Sequence, residues 1–179
     1  NGETYIITAN EGDAREYDGF EEEEDIGDVD IDQSILNMFP DIQENEECGR
    51  LALTNTLGDL DGDGDYDQLF VYGARSFSIW NADGNLIWDS GEQFEQLTAH
   101  FYPDYFNASN SNNRFDDRSD NKGPEPESVE SAVINDSVYA FIGLERIGHT
   151  MMFNITDPMN PTYVDYLNTR DFEVDIEDE

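Results

Sequence analysis

The chain of 179 residues carries 43 acidic side chains against eight lysines and arginines, which gives a formal net charge of −35 at pH 7. This negative field excludes nucleic acid as a partner, because phosphate contacts need Lys and Arg, and it disfavours binding to anionic membrane surfaces. No apolar run approaches the length of a membrane-spanning helix, so we expect no direct membrane insertion. The charge suits a protein kept soluble in high salt or in calcium-rich, marine-like water, where screening relieves self-repulsion.

The first predicted strand covers residues 4–9, which are rich in Tyr, Ile and Thr. Because the chain opens within a strand, we expect it to be an internal portion of a longer protein. A polar turn with Glu11, Asp13 and Arg15 follows the strand. Residues 21–47 are predicted to form an acidic loop insertion, since their opening run of five like charges is typical of a solvated, mobile loop.

Five carboxylates at alternate positions follow the next predicted strand, residues 51–54, and two glycines interrupt them. Calcium takes six to eight oxygen ligands, and in loops of this kind they come from alternate positions with a glycine at the sixth. The pattern therefore predicts a Ca²⁺ site formed by Asp59, Asp61, Asp63, Asp65 and Asp67, with Asp65 offering its backbone carbonyl. Phe70 stands where a bidentate Glu is usual, so the last ligand must come from elsewhere in the fold or from water. The alternative is a solvated acidic turn.

After this loop, short strands are predicted at 68–72, 76–80 and 86–88, and their spacing predicts hairpins of a four-stranded antiparallel sheet. The helical spacing of large apolar residues over 94–105 predicts one short helix before the proline at position 103. Residues 107–122 form a long polar loop, and a loop of that length is usually functional or disordered.

Four further strands end the pattern, at 128–134, 137–144, 150–155 and 162–167, and a tight turn joins the first two. Short strands at even spacing indicate a β-propeller or a sandwich, and a four-strand grouping that occurs about twice favours the propeller. We therefore predict an all-β fold, a partial β-propeller of about two to three four-stranded antiparallel blades of a larger ring, with one short helix and long acidic loops. The chain, 1–179, would then be a single portion of a larger propeller domain.

Two prolines stiffen the segment that carries Glu125 and Glu127, because proline cannot donate a backbone hydrogen bond. Two such carboxylates facing the axis of a propeller could bind a metal or act as an acid/base pair. Together with the other acidic groups that follow strands, they predict a second metal site at Glu11, Asp13, Glu125, Glu127 and Glu145. The alternatives are a proline-stiffened surface turn and, for Arg146, a structural salt bridge.

Other residue types carry weaker signals. Seven of the eight cations are arginines, which indicates fixed bidentate partners rather than surface decoration. Cys48 is the single cysteine, so no internal disulfide forms. Three Asn-x-Ser/Thr sequons begin at Asn107, Asn135 and Asn154, and they matter only if the source glycosylates its proteins.

Four stretches read together carry a family resemblance: 8–17, 55–80, 118–127 and 143–148. They resemble the choice-of-anchor I family of bacterial secreted or surface proteins, some members of which are labelled alkaline phosphatase or carry a phosphatase or nucleotidase domain. The resemblance covers nearly the whole chain and implies a secreted or surface-held β-propeller. The Pro-Glu-Pro-Glu element at 124–127 is also similar to motifs of phytase-like and lactonase-like propellers, whose glutamates bind calcium. Ser128 departs from the family, which usually has glycine there.

The leading hypothesis is an extracellular calcium-binding β-propeller that acts as a binding or scaffold module for an unknown ligand or surface partner. We expect a secreted or cell-surface location, extracellular or periplasmic, in a bacterial source that is marine or halophilic. One alternative is a calcium-dependent phosphoesterase with Glu125, Glu127 and Arg146 as catalytic residues, in which Arg15 or Arg146 grips the phosphate. The negative field disfavours this enzyme because it repels anionic substrates, although bound Ca²⁺ inverts the field locally. Another alternative is a surface adhesion or matrix protein.

Overall fold

The computed structural model describes residues 2–73, 75–174 and 176, and they are mostly β-structure with few helices. Ala74, which lies in one of the stretches that carry the resemblance, is outside the described residues. In chain order the strands are β1 (Tyr5–Ala9), β2 (Glu16–Tyr17), β3 (Phe20–Glu21), β4 (Glu23–Asp25), β5 (Ala52–Thr54), β6 (Phe77–Asn81), β7 (Leu86–Asp89), β8 (Pro126–Ile134), β9 (Ser137–Leu144), β10 (Thr150–Asn154) and β11 (Thr162–Leu167). The helices are α1 (Gln33–Met38), α2 (Gln93–Phe101) and two short 3-10 helices, Ile26–Asp28 and Pro103–Tyr105.

The chain divides into two units, and no sheet closes into a barrel among the described residues of either. Unit 1 contains the described residues within Asn1–Glu11, Ala74–Arg118 and Gly123–Glu179. Unit 2 contains Gly12–Gly73 and Ser119–Lys122. No helix among the described residues has the length and apolar character that crossing a membrane demands.

Unit 1 is built on two antiparallel sheets, one of three strands in the order β1-β6-β7 and one of four in the order β11-β10-β9-β8. Three fully buried rings join these sheets to α2: Phe77 from β6, Phe94 from α2 and Phe153 from β10. The ring centroids are 4.9 Å apart for Phe77 and Phe153 and 5.9 Å apart for the other two pairs. Burying one such side chain stabilises a fold by about 1.5–3 kcal/mol, so this trio is the centre of the core.

The hairpin between β8 and β9 is confirmed, together with the strands predicted after it. Ile134 pairs with Ser137, so the turn consists of Asn135 and Asp136, whose φ angles are +48° and +65°. Positive φ at both positions defines a type I′ turn, whose twist matches that of the flanking strands, and Asn and Asp tolerate it better than most residues.

Unit 2 contains the two-stranded sheets β2-β3 and β4-β5 and a small apolar core of Ile26, Val29, Ile31 and Leu53. Residues 21–47, predicted as an acidic loop, contain the end of β3 followed by β4, one 3-10 helix and α1. The segment folds back on itself because the Gln43 amide donates to the carbonyls of Ile26 and Val29, at 3.0 and 2.9 Å.

The strand predicted at 68–72 is wrong: among the described residues this segment forms only an isolated bridge between Val71 and Leu53. The four-stranded sheet predicted from 68–72, 76–80 and 86–88 is instead the three-stranded sheet β1-β6-β7. The physical reason is a long-range pairing, because β6 pairs with β1 rather than with the strand expected just before it. The helix before the proline at 103 is confirmed as α2, but α1 was not predicted.

Gly12 lies where two stretches of backbone in unit 2 approach closely. Its φ is +74°, and a Cβ atom built there would lie 1.9 Å from the backbone nitrogen of Gly73. No side chain fits this gap, since real contacts of a Cβ atom are much longer. Glycine at position 12 therefore permits the approach.

We expect Gly12→Ala to lower the free energy of unfolding by about 3 kcal/mol, because left-handed strain of about 1–2 kcal/mol adds to the collision with Gly73. Gly19→Ala is the matched control: its φ is +87°, but no heavy atom lies within 4 Å of the added Cβ, so it carries the strain alone. Urea unfolding of both variants measures the difference, and equal losses would contradict the close approach.

Candidate functional site

The Asp-rich loop, residues 59–67, lies in unit 2 and is closed by backbone hydrogen bonds. The amides of Asp67 and Gln68 donate to the carbonyl of Gly58 at 2.9 and 3.2 Å. Gly58 has a φ of +119°, and a Cβ there would lie 2.6 Å from the ring of Tyr66. Glycine at position 58 therefore permits the close approach of the Gln68 carbonyl and the Tyr66 ring.

Within the loop, carboxylate oxygens accept hydrogen bonds from the backbone. Asp59 accepts from the amides of Gly62 and Gly64 at 2.6 and 3.2 Å, and Asp67 accepts from the amide of Leu60 at 2.8 Å. These bonds fold the backbone of the loop around its own side chains, although Asp59 and Asp61 stay exposed to solvent.

Three of the five predicted ligands converge: Asp59, Asp61 and Asp67 each offer an oxygen, and these oxygens all lie within 4.8 Å of one another. Asp63 and Asp65 are outside this group, and their part in a site stays a prediction. The negative charge of Asp63, followed by burial, raises the pKa of Asp61. Burial, followed by the charge of Asp63, raises the pKa of Asp65. The loop is thus destabilised by its own charge, which a bound cation would relieve.

A second carboxylate cluster lies in unit 1, where oxygens of Glu11, Glu125 and Glu145 lie within 4.8 Å of one another. Glu125 is fully buried, and the other two are half-buried. The cluster follows from strand pairing, because Pro126 on β8 pairs with Leu144 on β9, and the residues just outside this pair are Glu125 and Glu145. The amide of Glu145 donates to the carbonyl of Glu125 at 2.8 Å.

Two arginines of unit 1 bind this cluster. The Nε of Arg146 donates to Glu125 in a short ion pair, and its Nη1 lies 3.0 Å from Oε1 of Glu145. Arg118 adds a contact of 3.5 Å to the other oxygen of Glu125. Burial raises the pKa of Glu145 against the opposing effect of Arg146, and the charge of Glu125 raises it further. Carboxylate oxygens are ligands that a hard cation prefers, and the raised pKa of Glu145 favours a proton on that residue.

The remaining residues of the predicted second site are outside this group. Asp13 belongs to unit 2, where its exposed carboxylate is 3.5 Å from the Nζ of Lys122. Glu127 is exposed on β8, at a shift of register between Pro126 and Ser128. The structure therefore brings together three of the five predicted carboxylates.

Sequence reasoning missed Glu22, which is the centre of a polar network in unit 2. Arg15 donates to both of its oxygens, from Nε at 2.7 Å and from Nη2 at 3.1 Å, and the hydroxyls of Thr54 and Thr56 donate at 2.8 and 3.2 Å. These donors, Arg15 first, lower the pKa of Glu22 to about 2. The pair lies in a cleft of about 800 Å³ whose other ionisable lining groups are all carboxylates. The guanidinium of Arg15 therefore already has Glu22 as its carboxylate partner.

Comparison with known proteins gives one family and two relatives. The family model described as the choice-of-anchor I domain matches residues 1–158. The chain is 36% identical over 127 residues to Gigasin-3a of Magallana gigas, covering 68% of this chain and 44% of that protein. It is 29% identical over 113 residues to the mesenchyme-specific cell surface glycoprotein of Strongylocentrotus purpuratus, covering 55% of this chain and 14% of that protein. No solved structure matches.

These matches bear on the source and on the extent of the chain. The chain spans less than half the length of either curated relative, 44% and 14%. The expected bacterial source gains no support, because a metazoan protein is among the relatives.

Replacing Arg146 with alanine is expected to lower the free energy of unfolding by about 3 kcal/mol, because the buried charge of Glu125 loses its closest cation. Arg114→Ala is the control, since Arg114 pairs with Asp117 at 3.0 Å but its side chain is 72% exposed, and it should cost about 1 kcal/mol or less. Chemical denaturation compares the two variants. Equal, small losses would mean that Arg146 does not neutralise the cluster.

Glu22 should make stability depend on pH at the acidic end. Its pKa is about 2 in the folded chain against an ordinary value of 4.5, so its contribution is complete above pH 4.5 and is lost as the pH falls through 2. We expect the difference in melting temperature between the parent and Glu22→Gln to be greatest near neutral pH and to shrink towards pH 2. The control is Glu21→Gln, an exposed neighbour. A difference that stays constant with pH would show that the charge of Glu22 is not involved.

Proposed function

Since this chain belongs to the choice-of-anchor I family, we propose that it is an extracellular surface protein whose Asp-rich loop binds Ca²⁺ and whose sheets serve as a binding or scaffold module. The extracellular location is supported by the relative that is named a cell surface glycoprotein. The module is proposed from architecture: the strands β8 to β11 form a four-stranded antiparallel meander, which is the arrangement of one propeller blade.

The observation that carries the calcium proposal is the convergence of Asp59, Asp61 and Asp67 on one point. Within the described residues no lysine or arginine forms an ion pair with any carboxylate of the loop. The carboxylates of unit 2 that do form such pairs are Glu22, Asp120 and Asp13. Something else must then balance the charge. A donor set made only of oxygens favours a hard cation over zinc, and a loop that adds water and carbonyl ligands suits Ca²⁺ better than the strictly octahedral Mg²⁺.

Binding there would stabilise unit 2 as well as the loop. The amide of Tyr66 donates to the carbonyl of Asp30 at 2.9 Å, and Tyr66 forms a bridge with Ile31, which lies in the apolar core of the unit. A cation that fixes the loop therefore also fixes the segment that carries Ile31. The free energy of binding becomes free energy of folding, because the unfolded loop has no preformed site.

A second candidate function, a metal-dependent phosphoric ester hydrolase, has one observation in its favour. Glu11, Glu125 and Glu145 converge in unit 1, and three carboxylates can hold the metal such an enzyme needs. Against it, Arg146 is bound to Glu125 and Glu145, and Arg15 is bound to Glu22, so both guanidinium groups proposed to grip phosphate already have carboxylate partners. We therefore place the binding module first.

Calcium should raise the stability of the chain, by about 2.7 kcal/mol at a hundred times its dissociation constant. We expect excess EDTA to lower the melting temperature and added Ca²⁺ to restore it. Asp59→Asn and Asp61→Asn should weaken this response, since each removes a converging charge. Asp83→Asn is the control, because Asp83 is exposed in the turn between β6 and β7. A melting temperature that excess EDTA leaves unchanged would refute the calcium proposal.

A further inference from the structure

The three sequons differ sharply in what the fold allows. An N-linked glycan is bulky and hydrophilic, so the asparagine that carries it must lie at the surface. Asn107 is fully buried, and its Nδ2, the atom that a glycan would occupy, donates to Oε1 of Glu95 at 3.0 Å. A glycan at Asn107 would have to open the core, because the side chain is completely buried. The fold is therefore incompatible with modification of the first sequon.

The third sequon is also constrained. Asn154 is half-buried at the end of β10, a strand that pairs with β9 on one side and β11 on the other. Its Oδ1 accepts from the amide of Thr156 at 3.0 Å, and the hydroxyl of Thr156 accepts from the amide of Val138 at 2.9 Å. Thr156, the hydroxyl residue of this sequon, is thus already hydrogen-bonded to Val138 of β9 and to Asn154.

The second sequon meets each requirement. Asn135 is exposed at the first position of the type I′ turn between β8 and β9, and Asp136 beside it is also exposed. No hydrogen bond joins the Nδ2 of Asn135 to any residue that the structure describes. A substituent on this nitrogen would extend from the tip of the hairpin into solvent without disturbing the pairing of Ile134 with Ser137.

The surface beside this turn is an independent reason for a hydrophilic cover. Val133 and Ile134, the last residues of β8, are 72% and 45% exposed. β8 is an edge strand of its four-stranded sheet, and an exposed apolar edge strand is a template for pairing with another chain. A glycan on the adjacent turn would lie over these two side chains and obstruct the end of that edge.

We propose that Asn135 is an N-glycosylation site. The proposal rests on the extracellular location proposed above, because only a chain that passes through a secretory pathway meets the glycan donor. In the transfer, the Nδ2 of Asn135 forms a bond to the anomeric carbon of a lipid-linked oligosaccharide diphosphate. The bond from that carbon to the diphosphate oxygen breaks, the lipid diphosphate leaves, and the amide nitrogen loses one proton. No oxidant or reductant is needed.

The test is to secrete the chain from animal cells behind a signal peptide, which removes location as a variable. The purified protein is treated with an amidase that releases N-glycans in heavy-oxygen water, and is then digested with trypsin. Each sequon falls on its own tryptic peptide, because arginine or lysine precedes and ends 76–114, 123–146 and 147–170. We expect a labelled aspartate at position 135 and an unlabelled asparagine at position 107. Secreted protein with no label at position 135 would overturn the proposal.

Two variants separate the modification from the fold. Asn135→Gly keeps a residue that favours a type I′ turn, and Ser137→Ala keeps the turn asparagine while destroying the sequon. Both should be secreted at the parental level and should lose the label on the peptide 123–146. A label that persists in Ser137→Ala would contradict the sequon as its cause. The response to EDTA should be unchanged in both, so failure of the calcium proposal and failure of the glycan proposal give different results.

Discussion

Repulsion among carboxylates is the constraint that the rest of this molecule has to satisfy. With 43 acidic residues and eight cations, most carboxylates lack a basic partner, so wherever they gather the fold must supply neutralising groups. The arginines are placed accordingly. In unit 1, Arg75 binds Glu95 and Arg146 binds Glu125, and in unit 2, Arg15 binds Glu22 through two parallel hydrogen bonds. A planar guanidinium suits this role, because it holds a carboxylate in one orientation where an ammonium group would not.

Packing in unit 1 decides where this neutralisation takes place. The ring of Phe77 contacts those of Phe94 and Phe153, which holds β6, α2 and β10 together. That frame holds the sheet in which β8 and β9 pair, and the pairing of Pro126 with Leu144 sets Glu125 against Glu145. Two acidic residues far apart in sequence thus become neighbours through strand register. Arg146 follows Glu145 directly and reaches both.

Local patterns in the sequence predicted what local interactions determine. The hairpin turn at Asn135 and the strands β8 to β11 follow from alternation and turn chemistry, and the spacing of aspartates predicted that the loop 59–67 would gather carboxylates. α1 had a signal that was not used, since Asp32 is an N-cap whose side chain accepts from the amide of Ser34.

Long-range pairings could not be predicted in this way. β1 and β6 pair because the apolar faces of these distant segments share one core. The residue pattern of either segment does not predict the other as its partner. The network of Glu22 has the same origin, since Thr54 and Thr56 lie in a separate segment from Arg15. A single sequence gives the chemistry of such residues but not their partners. The strand prediction at 68–72 was wrong for a related reason, because β6 pairs with β1 instead.

The two carboxylate clusters show two solutions to one electrostatic problem. In unit 1 the cluster surrounds the fully buried Glu125, and guanidinium groups that belong to the chain supply most of its counter-charge. In unit 2 the aspartates of the loop 59–67 are mostly exposed and no ion pair with a described lysine or arginine reaches them. A charge balance that the chain does not supply must come from the medium. We propose that this difference makes the stability of unit 2, but not that of unit 1, follow the concentration of calcium outside the cell. Through Tyr66 and Ile31 the loop then passes that dependence to the core of the unit.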